Sequence, residues 1–450
     1  MATETTCPEG STPDLEEVIN RYENLIAENP HNPEYHKELG NAFHRTGQYD
    51  LALEEYRTAL HIDNKYYPAQ YNMGNTYFVT DSFHQAIIAW QKAFIMNRQL
   101  EHSIYNIAFT YYKLGTLEED QERRRKLLDD AVLEFKTAIA MRPENTDTHL
   151  HLGLTWFELD RYEDAIHEYK EVIRIDPNDL YAHYNLGNVY YELGQEDTDY
   201  FEMALSEYQL SIQTNPEDLK SKNNIADCLL RLGKAQEALS EIDRVIEENT
   251  DYIPARCTRG EILASMNKHE DAIQEFDKVI QLNPEENALL HRYASQKLIE
   301  QYQFLILRHP LKYHIHYDLG RAYRDLGVAY QDRTYFLKAR DEFRKAIDKD
   351  GTKLPYHLEL GETFLRLNNT DSALLEMERC LAIDPSSIAA RTLLSEIFLL
   401  SGERERACQE LAQIRRLLTS SQNRAAGPSD VSEGGHGHPQ HGPSKRKTAD

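Results

Sequence analysis

The chain has 450 residues, 50 of them Lys or Arg and 75 Asp or Glu, for a formal charge of −25 at pH 7. That acidic balance excludes a non-specific nucleic-acid binder, which needs basic surface to displace counterions from phosphates. Met1 to Pro13 lacks the apolar core of a secretory signal and no stretch approaches the roughly 18 apolar residues of a membrane span, so a soluble, cytoplasmic chain without membrane insertion is expected.

In chain order, the first element is a helix. Thr12-Pro13-Asp14 followed by Glu16 and Glu17 reads as a helix start, and Leu15, Val18, Ile19, Tyr22 and Ile26 give it one apolar stripe. Residues 1–32 are thus expected to hold a disordered start and a capping helix. A small residue then recurs, followed twelve places later by Ala and four further on by an aromatic, as in Gly40–Ala52–Tyr56 and Gly153–Ala165–Tyr169. These small anchors fall at Gly40, Gly74, Ala108, Gly153, Gly187, Ala226, Gly260, Ala294, Gly320, Gly361 and Ser395. Their spacings are 34, 34, 45, 34, 39, 34, 34, 26, 41 and 34 residues. The three long units, at Ala108, Gly187 and Gly320, resume the pattern in phase, so their extra length lies between two half-units.

Each half-unit is helical. Leu150, Gly153, Leu154 and Phe157 recur at i, i+3, i+4, i+7, as do Ala165, Ile166, Tyr169, Val172 and Ile173 in the half that follows. Pro143, Pro177, Pro216, Pro284, Pro310 and Pro385 follow second helices, and Pro68, Pro254 and Pro355 open first helices. Small residues let two antiparallel helices approach, and the aromatic fills the space between neighbouring pairs. A single pair cannot bury its apolar face, so the pairs must stack. Seven units span 33–283. The Ala294 unit is short, and Leu290, Ala294, Leu298, Tyr302 and Leu305 keep helical spacing without Gly or Pro, so 284–310 is expected to be one fused helix from Glu285 to Arg308. Three more units fill 311–418. Residues 419–450, rich in Gly, Pro, Ser and His, are expected to be disordered.

The pattern resembles the tetratricopeptide repeat family over about Pro33 to Leu418. Leu39-Gly40, Met73-Gly74 and Leu186-Gly187 match its small-residue motif, with aromatics at Phe43, Tyr77, Trp156 and Tyr190. The resemblance implies an all-α fold, an α-solenoid in which antiparallel helix pairs stack into a right-handed superhelix. It also implies a non-catalytic scaffold for protein–protein interaction, in which first helices line a concave groove that binds an extended peptide of a partner. Groove-facing positions would be Asn41, Tyr71, Asn72, Asn75, Tyr105, Asn106, Phe109, Tyr112, Tyr184, Asn185, Asn188, Tyr191, Asn223 and Asn224. Amides both donate and accept, and Tyr adds area at low entropic cost. The string Tyr-Asn-apolar-Gly-Asn in Tyr71–Asn75 and Tyr184–Asn188 is also close to the family's generic motif, so bare membership stays open beside a peptide groove.

Lys37, Asn41 and Asn72 match three of the five positions of the carboxylate clamp found in chaperone-binding members, but His102 and Asn106 stand where its other two cations belong. Asp318, Arg321, Arg324, Asp325, Glu359, Glu362 and Arg366 form a mixed-charge face, read as solvated. The tail holds His436, His438 and His441, whose spacing could bind a metal and is equally that of a biased segment. Five Cys lie far apart with no C-x-x-C, and no phosphate-loop, nucleophile-elbow or zinc-protease motif occurs, so neither cofactor nor catalysis is expected. A structural or self-associating subunit of a larger assembly is the alternative, motivated by the shortened unit.

Overall fold

The computed structural model describes residues 15–282 and 288–425. Among these residues there are twenty-two helices and no strand, in two compact units, the first ending at Ile262 and the second beginning at Leu263. The first holds α1 (Leu15–Glu28) and then the pairs α2 (Pro33–Arg45) with α3 (Tyr49–Ile62), α4 (Tyr67–Val79) with α5 (Phe83–Met96), and α6 (Glu101–Leu117) with α7 (Gln121–Met141). There follow α8 (Thr146–Glu158) with α9 (Tyr162–Ile175), α10 (Leu180–Leu193) with α11 (Asp199–Thr214), and α12 (Leu219–Arg231) with α13 (Ala235–Glu248). Helix α14 (Ile253–Ser265) carries the chain into the second unit, which contains α15 (His269–Gln281), α16 (Ala288–Arg308), α17 (His314–Tyr330), α18 (Arg333–Lys349), α19 (Leu354–Arg366), α20 (Thr370–Ile383), α21 (Ile388–Leu400) and α22 (Arg404–Ala425). Each unit is a stack of helix pairs, the architecture of an all-α solenoid.

A regular pair has 13 and then 14 residues, as in α2 and α3. One turn position, seven residues after the anchor, makes the reversal. It is left-handed at Gly47, Asp81, Asp160, Gly233, Asn267, Asn368 and Gly402, with φ between 54° and 79°. Gly, Asn and Asp are the residues that enter this region at least cost. The turn closes by a bond from the following N–H to the last helical turn, Gln48 to Phe43 O at 2.8 Å and Arg161 to Trp156 O at 2.9 Å. The long units instead lengthen their helices. α6 and α7 have 17 and 21 residues, and α17 and α18 have 17 each.

Packing refines the role expected for the aromatics. Tyr56 lies on Gly40 of its own pair, where an added Cβ would meet ring carbon Cε1 at 2.6 Å. Its cluster also reaches Ala69 and Met73 of the next pair, so one ring seals both gaps. Trp90 on Gly74, Tyr169 on Gly153, Tyr208 on Gly187 and Phe343 on Gly320 repeat the arrangement. These rings are all fully buried, each contributing about 2–3 kcal/mol of transfer free energy. In the shortened unit α16 runs unbroken for 21 residues and packs on α15 and α17; the expected start at Glu285 lies outside the described residues, as do residues 1–14 and 426–450, whereas residues 419–425, expected to be disordered, continue the helix α22.

Candidate protein-binding face

Apart from Asn223, the amides assigned to the groove stand at two positions of the first helix, and these do different things. One place after the anchor, the side-chain carbonyl takes a proton from the aromatic of the same pair. Asn41 Oδ1 accepts from the Tyr56 hydroxyl at 2.9 Å, Asn75 Oδ1 from Trp90 Nε1 at 3.1 Å, and Asn188 Oδ1 from the Tyr208 hydroxyl at 2.7 Å. Two places before the anchor, the amide NH2 reaches back to the preceding pair. Asn72 donates to Asn41 Oδ1 at 2.7 Å, Asn224 to Asn188 Oδ1 at 3.5 Å, and Asn106 to the Tyr71 hydroxyl at 3.1 Å. Asn223 accepts from Thr258 at 2.9 Å. Much of the ladder therefore fastens the array itself. Asn185 differs. It holds the position of Asn72, but the preceding pair offers Leu154 where the others offer Asn, and Asn185 makes no side-chain hydrogen bond among the described residues.

The aromatics gather in two places. Tyr105, Phe109 and Tyr112 of α6 surround His151 of α8, with ring centroids 5.7, 5.1 and 6.5 Å from it. Burial lowers the His151 pKa, so the ring is neutral near pH 7. Burial also pushes the Tyr105 hydroxyl up to about 12 and raises Tyr71 and Tyr112. The ring cluster is thus itself uncharged, with Glu101 and Asp147 near Tyr105 and Glu158 and Arg124 near Tyr112. Farther on, Tyr184 lies 5.9 Å from Tyr208, and the Tyr191 hydroxyl donates to Asp227, which pairs with Arg231 at 3.3 Å. Asn188, Tyr191 and Asn224 line one cleft of about 240 Å³ with Phe157, Glu192, Tyr208 and Asp227.

The partial carboxylate clamp gains nothing from the structure. Lys37 is held by Glu34 at 2.7 Å and by Glu38, Asn41 is engaged by Tyr56 and Asn72, and His102 stands 3.4 Å from Glu101. An ammonium already neutralised has little attraction left for a terminal carboxylate. In the second unit Arg324 pairs with Glu359 and Asp325, and Arg366 lies 3.8 Å from Glu362, so the mixed-charge face largely neutralises itself. A cleft of about 180 Å³ beside it is lined by Asp277, Tyr302, Asp318, Arg321 and Asp325, with burial raising both Asp277 and Asp318. His436, His438 and His441 lie outside the described residues. The thiols of Cys228, Cys257 and Cys380 are pushed up to about 12 by burial and are not nucleophiles near pH 7.

Sequence reasoning missed the internal use of the amides, although a signal existed. Asn follows the anchor only where the aromatic of that pair carries O–H or N–H, as with Tyr56, Trp90 and Tyr208. Where the ring is Phe135 or Phe343, the position is Phe109 or Arg321.

Comparisons with known proteins agree with this geometry. A TPR repeat model matches residues 40–80 and 155–194, and a tetratricopeptide repeat model matches 253–286 and 354–387. The chain belongs to the tetratricopeptide repeat family, a class of protein–protein interaction scaffold. It is similar to the small glutamine-rich tetratricopeptide repeat-containing protein 2 of Mycosarcoma maydis, with 32% identity over 82 residues, covering 18% of this chain and 23% of that protein. The chain thus spans about a quarter of the length of that curated relative. Among solved structures it resembles YrrB, described as a TPR protein with an unusual peptide-binding site, at 21% identity and a TM-score of 0.37 over 45% of this chain and 96% of that one. A tetratricopeptide repeat protein from Parabacteroides merdae ATCC 43184 gives 18% identity and a TM-score of 0.43 over 61% and 99%. These likenesses concern the fold. No helix among the described residues is long and apolar enough to cross a membrane.

Proposed function

We propose that the first-helix face of the first unit, from α4 to α12, receives an extended segment of a partner protein and holds it without catalysis. Two observations support this reading: a cleft lined by Asn188, Tyr191, Tyr208 and Asn224, and the unengaged amide of Asn185, three residues before Asn188 on α10. Aromatic faces supply contact area with little entropy to lose, and an amide with free donor and acceptor fixes the direction of a peptide backbone. Peptides selected from a displayed library against the full chain test it. Asn185→Ala and Tyr184→Ala are each expected to weaken such peptides about tenfold, roughly 1.4 kcal/mol, and Asn185→Ala, which breaks no hydrogen bond, to leave the thermal midpoint unchanged. Undiminished affinity in both variants removes the reading. A second reading, a self-associating subunit, draws on Leu289, Leu307 and Leu311, each at least 80% exposed on or just after α16. Light scattering across a concentration series decides it, since a strict monomer excludes self-association.

A further inference from the structure

Four buried histidines share one repeat position, four residues before the anchor, and make the same two contacts. In His36, His149, His183 and His357, Nδ1 lies 2.6–2.7 Å from a carboxylate oxygen of Glu55, Glu168, Glu207 or Glu376 in the second helix of the same pair. Nε2 lies 3.0–3.1 Å from the backbone carbonyl of Pro30, Pro143, Pro177 or Gly351, in the loop that enters the pair. Each ring thus touches three elements. Carbonyls and carboxylates only accept, whereas neutral imidazole has a single N–H. Both contacts become hydrogen bonds only when the ring carries two protons. A carboxyl is more acidic than imidazolium by about two units, so the extra proton sits on the ring.

The same position in the last pair supplies a comparison within the chain. Arg391 stands there, donating from Nη1 to Glu410 at 2.6 Å and from Nη2 to the Pro385 carbonyl at 2.8 Å. A permanent cation makes both contacts that the histidines make when protonated.

We propose that these histidines are proton-operated clamps, each fastening the two helices of its repeat to the entering loop, so that the array tightens when they are protonated and loosens repeat by repeat as the protons leave. When a ring loses its second proton, one nitrogen lone pair faces an oxygen at hydrogen-bond distance, and attraction becomes repulsion. The charged groups facing His149 are Glu168 and Glu171 of α9, and the Pro143 carbonyl reaches it from the loop after α7. His36 and His183 face Glu55 of α3 and Glu207 of α11; His357 faces Glu376 of α20, which also holds Arg379 at 2.7 Å. The bond to Glu168 raises the His149 pKa above its ordinary 6.5, against the desolvation that would lower it. A folded value above the unfolded one gives stability that is full below about 6.5 and is lost as pH rises through the raised value.

The test uses the full chain. Its thermal midpoint is followed from about pH 5.5 to about pH 8.5 beside the variant His149→Arg, His183→Arg, His357→Arg. The wild-type midpoint is expected to fall as pH rises, with the unfolding constant growing by at most about tenfold per pH unit for each proton released. Arginine keeps both contacts without titrating, so the variant should fall less steeply. An equal slope in the two proteins, or a flat wild type, overturns the proposal. Nitrogen shifts of labelled imidazoles in the wild type give a readout that does not depend on the variant's folding. At about pH 6 the His149 ring should carry protons on both nitrogens, and a singly protonated ring there overturns it as well.

Discussion

The distance between paired helices is set by single atoms. Gly153→Ala would place a methyl 2.6 Å from the fully buried Tyr169 ring. Alanine gains about 1 kcal/mol of helix propensity over glycine, but a buried ring cannot move aside, and overpacking costs about 1–3 kcal/mol. The clash wins, and a lower urea midpoint is expected. Gly361→Ala is the contrasting case, since its nearest atom is Met377 Cε, the far end of a flexible side chain. It should be neutral or mildly stabilising, and equal losses at the two sites would refute this account. The amides invite a similar comparison. Asn188→Ala leaves the buried Tyr208 hydroxyl without its acceptor, at a cost of about 1–3 kcal/mol, and Tyr208→Phe in the same chain should recover part of that. Additive losses in the double variant would show that the two side chains do not act as a pair. These positions show what the sequence could and could not reveal. Glycine, alanine and the aromatic follow from repeat geometry and were legible. The partners of Asn41, Asn75 and Asn188 were marked only by the O–H or N–H of the aromatic in the same pair, a weak signal, because a polar residue on a helix face can be satisfied by its own repeat as well as by a ligand.

Among the elements, α16 is the one whose spacing could be read as continuous and whose surroundings could not. Its buried side chains include His291, Ser295 and Gln301 beside Ala294, Leu298, Ile299 and Leu305, so a large part of its inner face is polar. Ser295 bonds back to His291 O at 2.8 Å, and Gln301 meets His269 Nδ1 at 2.8 Å while His269 Nε2 is buried without a partner. Apolar area excluded from water is the main favourable term in stacking, and an unmatched buried polar atom costs about 1–3 kcal/mol. A single helix standing where a pair stands elsewhere also has less surface to offer α15 and α17. Hydrogen exchange resolved by peptide should therefore show α16 opening before the pairs of the first unit. Protection across residues 288–308 as strong as across 153–216 would make α16 a rigid splint and would sink this prediction. The lengthening of α6, α7, α17 and α18 was equally hidden in part. Phase showed where the extra residues fall, but whether they loop out or extend a helix depends on whether the added turns find an apolar neighbour. In the Ala108 unit they do, with Leu128 of α7 packed on Gly115 of α6.

For the whole molecule the charge of −25 must be set against many short-range ion pairs. Pairs such as Arg174 with Glu171 and Arg244 with Glu241 lie on single helices in water, where solvent screens them and each contributes little. Self-repulsion of the excess carboxylates acts over longer distances, and salt shortens that range from about 30 Å at 0.01 M to about 8 Å at 0.15 M. Long-range repulsion should be screened more than pairs in contact, so added salt is expected to raise the thermal midpoint, by roughly 1 °C for each 1 kcal/mol gained at an unfolding entropy of about 2.1 cal/mol/K per residue. A fall instead would mean that the surface pairs outweigh the net charge. The same titration separates this effect from the histidine clamps. His149 and Glu168 are both buried and touch at 2.6 Å, where screening is weak. The decline of stability with rising pH should therefore persist at high salt while the whole curve moves upward. If salt flattened the pH dependence along with the repulsion, that dependence would belong to the surface charge and not to the clamps.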